Sequence, residues 1–265
     1  MKNNNLSHTF IICAYKESEY LEECIESLKA QTEKSLIICA TSTPNAHISS
    51  ICLKHDIPLH VNGESLGIAA DWNFALSLAQ TDLATLAHQD DIYSPAFLSE
   101  TMYCIKRAKR PLIVFTDYCE LKNGKTVASN RLLTIKRFMC FPFRFLQNSA
   151  FIGKTILSFG NPICCPSVTF ALKNLTRPLF NNKYKTNCDW LAWLDIRNLP
   201  GEFAYCPTPL MYHRIHAESG TSLYIDDNTR SKEDLEMLAQ YNRPLLARLI
   251  HRFYRKAEDS NAERG

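Results

Sequence analysis

Two adjacent carboxylates, Asp90 and Asp91, close the tetrapeptide His88-Gln89-Asp90-Asp91, which directly follows the apolar run Leu83-Ala84-Thr85-Leu86-Ala87. A run of that length and character reads as a buried strand. Carboxylates at the carboxyl end of such a strand stand where open α/β sheets bind their ligands. Neighbouring acids repel one another and lose hydration, and a divalent cation relieves both penalties. The pattern predicts a site where a metal holds a phosphate. The competing reading gives the same acids a smaller task, capping the next helix. A further carboxylate, Asp189, lies in Cys188-Asp189-Trp190 at the start of an apolar helix, a setting that raises a carboxylate pKa towards proton acceptance. Its alternative is again a cap, shared with Asn187.

The elements that must position these acids alternate along the first half of the chain. The continuous apolar run Thr9–Tyr15 predicts a parallel strand buried on both faces. A helix should follow, capped by Ser18, with Leu21, Cys24, Ile25 and Leu28 on one face. Leu36–Thr41 is a second strand, and Thr43-Pro44 opens a helix ending near His55. Pro58–Asn62 is a third strand, Gly67–Gln80 a helix, Leu83–Ala87 the fourth strand, and Ser94-Pro95 the start of a helix reaching Arg107. Leu112–Leu121 is another strand, which Asn123-Gly124 turns into a hairpin with Thr126–Ser129. Such alternation specifies an α/β fold with a mostly parallel central sheet flanked by helices. The aromatic and basic stretch Arg131–Phe151 reads as helix and loop lying over the site.

Composition narrows the setting. The chain has 265 residues, enough for one α/β core and a tail, and its net charge of +3 is too small to argue for nucleic acid. Eleven cysteines without a CxxC pair read as small core residues in a reducing compartment. No apolar stretch reaches the roughly 18 residues of a membrane span, and the polar start Met1-Lys2-Asn3-Asn4-Asn5 does not suit a signal peptide, so a cytoplasmic location is expected. Near the end, leucines and aromatics alternate with cations from Leu245 to Lys256 at helical spacing. That pattern suits a helix lying on an anionic inner membrane face, or a terminal helix packing one side on the domain.

Several fragments in order resemble the family 2 glycosyltransferases. They are Ala14-Tyr15-Lys16-Glu17, Gln31-Thr32, Gly67 through Asn73, His88-Gln89-Asp90-Asp91, Pro166-Ser167-Val168, Asn187-Cys188-Asp189-Trp190 and Tyr212-His213-Arg214-Ile215-His216. The resemblance implies the GT-A fold, Rossmann-like with a variable helical C-terminal segment. It places a glycosyltransferase domain at 1–225, with a nucleotide-sugar half at about 8–120 and an acceptor half at 121–225, followed by a basic helical tail at 226–265. One departure stands out. The family's second strand commonly ends in acids, one of which contacts the nucleotide base, whereas this chain has Ala40-Thr41-Ser42-Thr43.

The resemblance also implies roles. Asp90 and Asp91 would hold Mg²⁺ or Mn²⁺ on the donor diphosphate, with His216 reaching the metal or the diphosphate and Arg214 the phosphates. Tyr15, Glu17, Thr41, Asn73 and His88 would contact the nucleotide, and Asp189 would be the general base of an inverting transfer. The donor is expected to be a nucleoside diphosphate sugar, a UDP-sugar first, and the acceptor a saccharide or lipid-linked saccharide in surface polysaccharide or glycolipid synthesis. Two rivals remain at this point: a sugar-phosphate nucleotidyltransferase, which would want a glycine-rich phosphate loop after the first strand, and a non-catalytic saccharide- or nucleotide-binding module.

Overall fold

The computed structural model describes residues 6–64, 66–216 and 229–262. The opening alternation is present: β1 (His8–Ala14), α1 (Leu21–Lys29), β2 (Leu36–Thr41), α2 (Ala46–Lys54), β3 (Leu59–Val61), α3 (Ile68–Leu78) and β4 (Leu83–His88). These strands pair in parallel in the order β3-β2-β1-β4. Successive side chains of a strand point to opposite faces, and both faces of β1 are apolar. Phe10 and Ile12 therefore pack with Leu21, Cys24, Ile25 and Leu28 of α1, whereas Ile11 packs with Trp72, Ala75 and Leu76 of α3. Each such side chain contributes about 1.5–3 kcal/mol by leaving water.

The helix starts differ from the sequence expectation by a residue or two. Tyr20, not Ser18, is the N-cap of α1, and α2 is capped by Asn45, whose side chain accepts the Ile48 amide at 2.9 Å. Thr43 does something else. Its hydroxyl accepts the amide of Lys16 at 2.6 Å, holding that residue at φ 56° just past β1.

After β4 come β5 (Ile92–Tyr93), α4 (Phe97–Arg107), β6 (Pro111–Lys122) and β7 (Lys125–Val127), the last two forming the expected hairpin. Arg131–Phe151 resolves into α5 (Arg131–Cys140), α6 (Phe143–Leu146) and the start of α7 (Ala150–Ser158). A 3₁₀ turn at Cys165–Ser167 leads into β8 (Val168–Ala171), which is antiparallel to both β4 and β6. α8 (Cys188–Ile196) and the long β9 (Glu202–Ile215) complete the sheet, whose order is β3-β2-β1-β4-β8-β6-β9-β5. β9 runs parallel to β6 with register shifts around Thr116–Tyr118, then pairs Tyr212 with Ile92. This crossing carries the end of β9 to the turn after β4.

Two helices follow, α9 (Thr229–Tyr241) and α10 (Pro244–Ala262). The expected boundary at 225/226 and the N-terminal Met1–Asn5 lie outside the described residues. Among the described residues no helix is long and apolar enough to cross a membrane. All eleven cysteines are free thiols.

Candidate active site

The turn after β4 is stitched to the end of β9. Asp91 is fully buried, and its Oδ1 accepts the Arg214 amide at 2.9 Å and meets His213 Nδ1 at 3.0 Å. The Asp90 carbonyl accepts Arg214 Nε at 2.9 Å, and its Oδ2 meets His216 Nε2 at 2.8 Å. Gln89 bonds both backbone groups of Tyr15, at 3.0 and 2.8 Å, and so fixes the ends of β1 and β4 together. Burial alone would push the Asp90 carboxyl up, but the His216 hydrogen bond and the imidazoles of His88 and His213 outweigh it and hold the group below the usual carboxylate range.

Two atoms in this turn are left without partners. Asp91 Oδ2 and His88 Nε2 are both buried and unbonded, an expensive condition for polar atoms in a core. Ligand atoms of His88, Asp90 and Asp91 all lie within 4.8 Å of one another. Two carboxylates and an imidazole with spare lone pairs match what a divalent cation takes as ligands. The residues present thus fit a metal.

Asp189 stands in the first turn of α8, whose entering loop is held by α9. Glu233 of α9 accepts the amides of Lys185, Thr186 and Asn187, and Asp234 accepts the Asn187 side chain. These bonds tie down the loop that enters the helix. Asp189 accepts Asn161 Nδ2 at 2.9 Å and a first-turn amide of α8, Trp190 N, at 2.7 Å, so it also serves the helix end as the capping alternative expects. Burial pushes its pKa above the ordinary range despite these bonds and the nearby charges of Arg230 and Lys136.

The two acidic regions share neighbours. Cys164, just before the 3₁₀ turn, feels the charge of both Asp91 and Asp189, and Lys136 of α5 acts on both Asp189 and His213. Lys136 Nζ donates to Tyr118 Oη at 2.9 Å, and the Tyr118 ring lies 6.3 Å from the His213 ring. A chain of contacts Asp91–His213–Tyr118–Lys136 thus runs from the turn towards α8.

Four expected site residues are used differently. Asn73 Oδ1 accepts the amides of Leu179 and Phe180 and its Nδ2 donates to the Phe180 carbonyl, so its amide clamps a loop. Thr41 is buried and its hydroxyl accepts the Thr43 amide at 3.1 Å. Arg214 pairs with Glu23, lies 4.1 Å over the Tyr20 ring and braces the acidic turn. His216 engages Asp90, and the imidazole in the metal-competent group is His88. His88 itself stacks on Trp72, with ring centroids 5.2 Å apart. Tyr15 and Glu17 are exposed beyond β1.

One acid passed over in the sequence sits where the second strand lacks one. Asp71, in the first turn of α3, accepts Ser42 Oγ at 2.7 Å and Asn62 Nδ2 at 3.1 Å, which places a carboxylate between the ends of β2 and β3. Its signal was present: a lone acid in the apolar opening Ile68-Ala69-Ala70-Asp71-Trp72. Gln89, His213 and Lys136 were likewise unassigned, because their roles depend on partners distant in the chain.

The model of glycosyl transferase family 2 matches residues 9–171, which include the acidic turn. The chain belongs to this family. Its fold is that of several solved structures at low identity. TarS 1–349 of S. aureus in complex with UDP-GlcNAc superposes with a TM-score of 0.61 at 14% identity, covering 93% of this chain and 70% of that one. The mannosyltransferase PcManGT of Pyrobaculum calidifontis, in complex with GDP-Man and Mn²⁺, gives 0.65 at 13%, covering 89% and 64%. Mannosyl-3-phosphoglycerate synthase of Rubrobacter xylanophilus gives 0.58 at 11%, covering 89% and 74%. No curated protein matches the chain. The match to the family model ends before Asp189 and β9, so for that half the geometry of this chain is the guide.

Proposed function

We propose that this glycosyltransferase moves a sugar from a nucleoside diphosphate donor, a UDP-sugar first, to a hydroxyl of a saccharide or lipid-linked acceptor, with inversion. The observation that carries the reading is a contrast of two carboxylate environments with Cys164 as a shared neighbour: an acidic turn with an unpartnered buried oxygen, and a half-buried Asp189 whose pKa is raised. Asp91, with Asp90 and His88, would hold Mg²⁺ or Mn²⁺. Such a cation, when bound, offsets charge on the departing diphosphate.

The rest of the chemistry falls to the chain. Asp189 takes the proton of the acceptor hydroxyl, the acceptor oxygen bonds to the anomeric carbon, and the bond from that carbon to the diphosphate oxygen breaks. Attack from the face opposite the leaving group inverts the centre. A carboxylate in water is a weak base at neutral pH, and burial makes Asp189 a better one. His213, Arg214 and His216 keep the turn in place, and Asn161 orients Asp189. Asp71, held by Ser42 and Asn62, supplies the carboxylate that the end of β2 lacks and would meet the nucleotide base or ribose beside Tyr15 and Glu17. The tail at 226–265 would bring the domain to a membrane surface from the cytoplasmic side.

Thermal unfolding with nucleoside diphosphates tests the donor half of this reading. UDP or another nucleoside diphosphate should raise the melting temperature only when Mn²⁺ or Mg²⁺ is present, with stabilisation of about 2.7 kcal/mol at a hundredfold excess over Kd. Equal stabilisation without metal would contradict it, and so would a response confined to nucleoside triphosphate with sugar phosphate.

A further inference from the structure

α5, α6 and α7 present two chemically different sides. Leu133, Cys140, Phe143 and Leu157 point into the core, and Lys136 and Arg137 bond Tyr118 and Asp117 on the site side. Residues two apart on a helix emerge on nearly opposite faces, so Phe138 leaves on the far side from Lys136. It is 80% exposed, Phe145 70% and Phe151 77%, with Phe141 and Leu146 about half exposed. Phe141 and Phe145 contact each other edge to face, and the Arg144 guanidinium lies 5.9 Å from both rings.

α10 extends the same surface. Arg131 of α5 lies 5.1 Å over the ring of Phe253, and Tyr254 donates to Met139 at 3.1 Å. Ala247 and Ile250 turn towards the domain core, while Leu245 (81% exposed) and Leu249 (65%) line up with Phe253 on an outward stripe. The charge around these side chains has one sign over a long stretch. Residues 121–188 contain eleven Lys and Arg and no Asp or Glu, and Arg131, Arg144, Lys154, Arg248, Arg252 and Arg255 are exposed on α5–α7 and α10.

We infer that this aromatic, arginine-rich platform seats on an anionic phospholipid bilayer, with Phe138, Phe141 and Phe145 entering the headgroup boundary and the arginines meeting lipid phosphates. Clustered exposed phenylalanines gain burial only in contact with an apolar phase, and an excess of cations around them selects a negatively charged one. The platform, rather than the tail alone, is then the anchor. This deepens the transferase reading and rests on it in one respect: with Lys136 and Arg137 on the site side of α5, docking its outer side brings the acceptor half of the site to lipid-linked saccharides.

Co-sedimentation with phosphatidylcholine vesicles, with and without phosphatidylglycerol, tests the inference on the full chain. The native protein should pellet with the anionic vesicles, and the variant carrying Phe138→Ser, Phe141→Ser and Phe145→Ser should bind about tenfold or more weakly. Its metal-dependent response to UDP should be unchanged, which separates failure of the platform from failure of the donor reading. A single Phe145→Trp variant gives a second readout: its emission should shift to the blue with anionic vesicles and be quenched by lipids brominated on the acyl chain. Absence of native binding, equal binding by the triple variant, or a dimer in sedimentation velocity that the triple variant loses while neither form binds vesicles would each overturn it, the last in favour of a second copy of the chain.

Discussion

The acidic turn after β4 and the start of α8 each expose a carboxylate problem and solve it in opposite ways. At the turn, Asp90 is surrounded by imidazoles and bonded by His216, and its pKa lies below the usual range; at α8, Asp189 has one side-chain donor, Asn161, and burial drives its pKa up. Environments that push two groups apart in this way assign their chemistry: one stays an anion, the other is ready to exchange a proton. In this molecule the division is made by β9. Its end supplies His213 and Arg214 to the turn, while no residue of β9 bonds Asp189, whose partners are Asn161 and the Trp190 amide.

On the turn side the largest expected effect comes from Asp91. Asp91→Asn removes the charge at the only unpartnered buried carboxylate oxygen found among the described residues, and metal-dependent nucleotide binding should fall below detection by calorimetry, with transfer lost by about a thousandfold. A smaller loss, about tenfold in donor affinity with the turnover number little changed, should follow Asp71→Asn, because one charge-assisted contact is weakened while the metal site stays intact. Donor KM against turnover number separates the two. Asn73→Ala, which leaves the Leu179 and Phe180 amides without their acceptor, should cost about 1–3 kcal/mol in denaturant unfolding.

Proton transfer sharpens the other side. A base must be ionised, so transfer should rise with pH through the elevated Asp189 value, and its acid limb should lie above the ordinary carboxylate range. Asn161→Ala removes a hydrogen bond that favours the ionised form and should move that limb to higher pH, by a fraction of a pH unit to about one unit. The linkage to stability has the matching sign. Burial favours the neutral acid, so this group's contribution to folding is present at low pH and declines as pH rises through its folded pKa.

Local pattern made much of the sheet and the acidic turn legible. The runs at β1, β2 and β4 are apolar on both faces, α1 buries the four residues its spacing selects, and the carboxylates end a strand as the pattern requires. β9 was less visible. Pro207 and Pro209 interrupt its alternation, and its pairing with β6 shifts register, so only its last residues stood out, through their family resemblance. The structural bonds of the expected site residues share one feature that the sequence hides. Asn73 acts on residues 106 and 107 positions away, and Arg214 on Glu23, 191 positions away, and no periodicity reports such partners. Asp71 is the converse: a polar residue in an apolar helix was a readable signal whose partners, Ser42 and Asn62, only the fold supplies.

The most direct test of the proton-acceptor assignment is steady-state transfer by Asp189→Asn, measured beside its metal-dependent nucleotide affinity. The account predicts native affinity with transfer reduced by about a hundredfold to ten-thousandfold. Native transfer rates in that variant would contradict it.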